Sequence, residues 1–262
     1  MSAAPPFLRG VARLAAFPPA LALILALALA GLASAQDRDM VLRGEFPVDL
    51  ETPPTIAPFS GLIDPAYRPA LPDGEAARAL LEEARWVFGA MVWGFDYVYT
   101  PSDKARSIAD LFELKPRSEL AWGSPTFRVL SARLEGTVVH AAVEWNPGPS
   151  ERAEYQSWRG ARFTSGQGRA SVRLSAEPDA ALRAGDGGAL PLPVAQRRGA
   201  MAEAAKEALR AYLRGIEYNK PREVRGSFAF AEQPRLALRA GAWVATVRIL
   251  ISVDEVLGYG AY

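Results

Sequence analysis

Four aromatic side chains spaced two residues apart, Trp93, Phe95, Tyr97 and Tyr99, are the densest set of groups in this sequence able to hold a ligand. Flat rings with polar tips stack on sugars or close over an apolar partner, so these four are the candidate ligand-binding residues. Packing is the competing reading. Aromatic residues favour strands and dominate cores, and an amphipathic helix immediately upstream would cover them. Asp96 falls on the opposite face of the same stretch, where an acid among apolar residues either faces solvent or is paired.

Asp96, Glu113 and Glu144 are candidate acid and base for a paired-carboxylate hydrolase acting on cell-wall glycan, against the alternative of ordinary surface acids. His140 is the only histidine, which excludes a multi-histidine metal site, and its place on the second face of a strand reads as half-exposed structure. The chain has no cysteine, so disulfides, thiolate nucleophiles and zinc–thiolate sites are excluded together. Gly166-Gln167-Gly168 lacks the third glycine and the following helix of a dinucleotide loop, and no Gly-Lys-Ser/Thr phosphate cradle occurs. No catalytic residue, metal site or cofactor is assigned from the sequence.

The compartment is read from the first thirty-five residues. Arg9 and Arg13 form a positive segment, Ala20 to Leu32 is an unbroken apolar run, and Ala33-Ser34-Ala35 has the A-x-A form of a signal-peptidase site. Cleavage there leaves Gln36 first. A membrane anchor is the competing reading, since Leu14 to Ala35 carries no charge, but Pro18 and Pro19 interrupt it. A lipoprotein is excluded by the lack of cysteine. Losing Arg9 and Arg13 leaves 28 basic against 29 acidic side chains, with the arginines scattered among acids, which is not the balance of a nucleic-acid binder.

Residues 36–72 read as a proline-rich extended arm, with Pro47, Pro53, Pro54, Pro58, Pro65, Pro69 and Pro72 blocking helix and central strand. Its apolar content predicts that parts of it lie against the globular body, residues 73–262. That body opens with a helix over 74–91, capped by Asp73, with Ala77, Leu80, Leu81, Ala84, Val87, Phe88 and Met91 on one face and Glu75, Arg78, Glu82 and Arg85 on the other. The aromatic strand follows over 93–99. Thr100-Pro101-Ser102-Asp103 then has the form of a capping box and predicts a second helix to about Glu113, ended by Pro116.

A hairpin of strands over 126–134 and 137–145 turns at Glu135-Gly136, with Val139, Ala141, Val143 and Trp145 as its core face. A short helix over 150–159, a strand over 162–175 and a surface loop over 176–193 come next. A second long amphipathic helix over 195–216 carries Met201, Ala205, Ala208, Leu209, Tyr212, Leu213 and Ile216. Strands over 224–230, 235–239 and 243–253 close the chain, with a turn at Ala240-Gly241.

Helices and strands are segregated, which predicts an α+β fold: a mainly antiparallel sheet packed by two long amphipathic helices. The similar order of elements in 73–175 and 194–262 also admits two similar α/β halves. The segment from Val92 to Arg106, with the Tyr218-Asn219-Lys220-Pro221 corner, resembles a family of uncharacterised exported bacterial proteins. That resemblance implies an envelope location and transfers no site residues. The expected function is an exported cell-envelope protein with a binding or structural role, contacting another envelope protein or a wall polymer through a sheet edge or the proline-rich arm. The glycan hydrolase and a small-ligand carrier are the alternatives. No nucleic-acid partner is expected, and no membrane span remains after cleavage.

Overall fold

The computed structural model describes residues 40–50, 73–160, 163–173, 192–216, 220–240 and 242–259. The chain divides into two units, Met1–Met40 and Val41–Tyr262, and the architecture is that of the second. In chain order the elements are β1 (Leu42–Asp49), α1 (Asp73–Val92), β2 (Phe95–Thr100), β3 (Leu111–Pro116), β4 (Phe127–Glu135) and β5 (Val138–Trp145). They continue with α2 (Pro149–Ser157), β6 (Thr164–Arg173), α3 (Leu192–Ile216), β7 (Glu223–Phe230), β8 (Arg235–Arg239) and β9 (Ala242–Leu257). The expected leader, the loop over 176–191 and arm residues 51–72 lie outside the described residues. Among those described, no helix is long and apolar enough to cross a membrane.

Every strand pair is antiparallel, and the fold is α+β. One sheet has the order β1-β5-β4; the other runs β3-β2-β7-β9-β6, with β8 also pairing with β9. The two hairpins that suggested matching halves therefore sit in different sheets. Part of the proline-rich arm is a strand: β1 runs along β5 from Leu42 opposite Trp145 to Asp49 opposite Val138, burying Leu42, Phe46 and Val48. Pro47 is tolerated because β1 is an edge strand, where a missing N–H costs no ladder bond.

Helix α1 lies between the sheets. Phe88 meets Phe46 edge-on at 5.6 Å between centroids on the three-stranded side. Trp86 lies 5.2 Å from Phe95 and 5.7 Å from Phe230 on the six-stranded side. A helix covered on two sides must bury its polar face as well. Glu82 and Arg85, expected on an outer face, are buried, and so is Glu83. The helix ends where Trp93 and Gly94 both donate their amides to the Gly89 carbonyl. Gly94 has φ +73°, and a Cβ there would stand 2.2 Å from the Phe228 carbonyl oxygen, so only glycine makes this turn from helix into β2.

Helix α3 packs over β6 and β9 on the same face of the larger sheet. The approach is close enough to need a glycine: a Cβ on Gly168 would lie 2.0 Å from the Ala204 carbonyl oxygen and 2.5 Å from the Ala208 amide nitrogen. Gly166-Gln167-Gly168 is thus a helix-packing site.

The helix expected from Pro101 to about Glu113 is absent. Asp103 instead accepts from the amides of Ala105 and Arg106 and from Arg106 Nη1 at 2.7 Å, while its backbone bonds reciprocally with Ile108. This side-chain-closed turn competes with helix initiation. Beyond it β3 pairs along β2, and its alternation, with Phe112 and Leu114 half-buried between exposed Leu111, Glu113 and Lys115, has period two. Strand β2 begins at Phe95, so Trp93 belongs to the turn after α1 rather than to the strand.

Candidate functional site

Three of the four rings singled out from the sequence are core. Phe95, Tyr97 and Tyr99 are each 2% exposed, packed among Phe112, Phe228 and Phe230, while half-buried Trp93 turns the other way, onto Trp145 at 5.4 Å. Burial pushes the Tyr97 phenol well above its ordinary value. Tyr99 accepts a hydrogen bond from Arg210 Nε at 3.0 Å. The structure also separates the three acids. Asp96 and Glu113 lie on the outer face of the β2–β3 pair, exposed, with Asp96 3.6 Å from Arg117. Glu144 belongs to the other sheet, where it is 4% exposed and bound by Arg43 at 2.8 Å and Arg128 at 2.6 Å. These two arginines hold its carboxyl below the usual range.

What the structure does bring together is a cleft of about 230 Å³ where the edge strand β1 meets α1, α3 and the β7–β8 connection. Its wall toward β1 is a strand edge whose outward carbonyls are already taken. Arg197 Nη1 donates to the Pro47 carbonyl, and Gln233 Nε2 donates to the Glu45 carbonyl at 2.9 Å. This edge is closed to strand addition at those positions, because Pro47 has no N–H and both carbonyls are occupied.

The floor of the cleft is an ion pair. Glu83 of α1 binds Arg197 of α3 at 2.7 Å, with side chains 2% and 7% exposed. Burial raises the Glu83 carboxyl above its ordinary value, against the opposing pull of Arg197 and Arg198. Arg197 also lies over the Trp243 ring, 5.2 Å from its centroid, and its Nε is buried with no hydrogen-bond acceptor among the described residues. At the rim, His140 Nδ1 lies 3.0 Å from Glu45, which also binds Arg133 at 2.7 Å. Val87, Met201 and Leu236 supply apolar lining.

Beside it, Arg85, Glu82 and Arg198 form a second buried network. Arg85 binds Glu82 at 2.8 Å and the Leu120 carbonyl at 2.7 Å, and Arg198 Nη2 donates to the Glu82 carbonyl at 2.6 Å. Burial lowers Arg198 from its ordinary value. The void there is about 20 Å³, the size for a single water, so this network joins α1 to α3 without offering a ligand site.

The two charges of the cleft floor were not singled out from the sequence, although each interrupts an apolar stripe. Glu83 falls three residues after Leu80 and four before Val87, inside the apolar stripe of α1; Arg197 falls four before Met201, inside that of α3. Trp243 and Gln233 carried no comparable local signal. Among the described residues, no group of three or more metal-ligating side chains could hold an ion. Every carboxylate in the cleft already faces a cation, so what remains is hydrogen-bonding and stacking capacity.

The chain belongs to an uncharacterised protein family, whose model matches residues 29–259. It is 25% identical over 185 residues to an uncharacterized protein of Treponema pallidum (strain Nichols), a match covering 71% of each chain. No solved structure matches it.

Proposed function

We propose that this protein is an exported cell-envelope protein with a binding role, that its partner is a wall polymer, and that the cleft at the β1 edge is where it binds. Export rests on the leader ending at Ala33-Ser34-Ala35. The observation that carries the binding role is the combination in one 230 Å³ cleft of a buried ion pair, an aromatic ring and apolar side chains, the composition usual for small-ligand and polymer subsites. The reading keeps α1 and α3 as the two long amphipathic helices that support the site. It also retains the similarity of 73–175 to 194–262 as a relation between two helix–strand units, α1–β2 and α3–β7.

The test has two arms. Cell fractionation with amino-terminal sequencing is expected to find the protein outside the cytoplasm and beginning at Gln36. Purified protein is expected to co-sediment with isolated wall sacculi, and Leu236→Trp, which fills the cleft, to abolish this. Recovery from cytosol alone refutes export; sedimentation unchanged by Leu236→Trp refutes the cleft.

A glycan hydrolase is the second reading, favoured by one observation: two carboxylates, Glu45 and Glu83, border the same cleft and burial raises one of them. Release of soluble fragments from sacculi, lost in Glu83→Gln, would establish it. Absence of release by the wild type removes it.

A further inference from the structure

A ligand's class can be read from what a site has left unsatisfied. In this cleft the charges are spent within the protein. Glu83 faces Arg197 at 2.7 Å, and Glu45 faces Arg133 at 2.7 Å and His140 at 3.0 Å. A cationic or anionic ligand group entering here would find no free counter-charge and would lose its hydration, a cost that ordinarily excludes it.

Hydrogen-bonding capacity is what remains. Gln233, with its amide nitrogen given to the Glu45 carbonyl, has its side-chain oxygen left to accept. The Trp243 ring adds a flat apolar surface to the same cleft. A volume of about 230 Å³ matches one ring with its substituents rather than a chain of them.

We infer that the cleft binds a single uncharged sugar ring, with the Gln233 side-chain oxygen as acceptor from a hydroxyl and the ring lying beside Trp243. This rests on the binding reading above and narrows it: the unit of the wall polymer recognised is a neutral sugar, not a charged one.

Isothermal titration of the purified full chain uses three probes: the neutral disaccharide N,N′-diacetylchitobiose, its deacetylated cationic form, and anionic digalacturonate. The neutral probe is expected to bind at least about tenfold more tightly than either charged one, since each charge would be desolvated without a partner. Gln233→Leu should weaken it severalfold, and Leu236→Trp should abolish it. Circular dichroism of both variants establishes that they fold, and they lie at the cleft's margin, outside the buried ion pair. Equal binding of charged and neutral probes, no binding of the neutral probe, or binding indifferent to Leu236→Trp each overturns the inference. Sacculus co-sedimentation separates the two claims. Sacculi bound without disaccharide binding leaves the wall-polymer reading standing and this one refuted, and disaccharide binding without sacculus binding does the reverse.

Discussion

Replacing Gly168 by alanine tests whether α3 is held against β6 by backbone contact. The added Cβ would stand 2.0 Å from the Ala204 carbonyl oxygen, 2.5 Å from the Ala208 nitrogen and 2.9 Å from the Ala208 Cβ. Ordinary contact begins near 3.4 Å, so the helix must retreat by roughly 1.4 Å along this line. All three obstructing atoms belong to a helix that cannot yield one residue at a time. A gap of 0.5–1 Å already forfeits about a quarter to a half of the dispersion well for each facing atom pair, and the interface includes fully buried Met201, Ala204, Ala205, Ala208 and Leu209. Overpacking of this kind costs about 1–3 kcal/mol, and here the upper end applies. Restricting the unfolded chain returns about 0.4–1 kcal/mol, leaving a net loss near 2 kcal/mol.

Urea unfolding followed by far-ultraviolet circular dichroism reads this as a midpoint lowered by roughly 1 M, for a slope of about 2 kcal/mol/M. Two controls bracket it. At Gly166 the nearest obstruction is the flexible tip of Ile251 at 2.9 Å, so Gly166→Ala should cost distinctly less. Gly215 in the last turn of α3 has nothing within 4 Å, so Gly215→Ala should stabilise by up to about 1 kcal/mol through helix propensity. If Gly168→Ala changes the midpoint no more than Gly166→Ala does, the close approach of α3 to β6 is refuted.

Gly94→Ala should cost more than about 3 kcal/mol or prevent folding, because it combines positive φ with a 2.2 Å approach to the Phe228 carbonyl; soluble yield and thermal unfolding check it. Ala240 holds φ +49° in the β8–β9 turn, so Ala240→Gly should raise stability by up to about 1 kcal/mol in the same urea assay. Glu144→Gln tests the Arg43–Glu144–Arg128 bridge. Its carboxyl is lowered in the folded protein, so its contribution is complete above the ordinary carboxylate value and is lost as pH falls through the lowered one. Wild type should therefore exceed the variant in stability at neutral pH, and the difference should vanish on acidification; a difference that persists unchanged to low pH contradicts the bridge.

Particular elements explain what could be read in advance. Helices α1 and α3 were legible because twenty or more residues repeat the same stripe, and the β4–β5 hairpin because Glu135-Gly136 separates two strand-like runs, the second of them alternating. Residues 102–113 misled because Ala105, Ile108, Leu111 and Phe112 satisfy helical spacing, while the shorter alternation of Phe112 and Leu114 asserts itself only once β2 is present to pair with. Local pattern also placed the aromatic residues of β2 on one face and offered the upstream helix as its cover, and Trp86 of that helix does lie against Phe95, without deciding between a covered face and an open binding surface.

The sequence by itself determined the secondary-structure class, the exclusion of cysteine chemistry, and most of the inward apolar residues of α1, α3 and β5, such as Phe88, Leu209 and Trp145; Ala77 and Ile216, expected on the same faces, are exposed. Those properties depend on residue type and short periodicity. Only the tertiary structure decided that α1 is enclosed by two sheets, that Phe95, Tyr97 and Tyr99 are interior, and that Glu45, Glu83, Arg197, Gln233 and Trp243 converge on one cleft. Arg197 and Glu83 are 114 residues apart in the chain, and they meet only because α3 packs beside α1. Such long-range encounters depend on packing distances between elements, which no local pattern of side chains encodes.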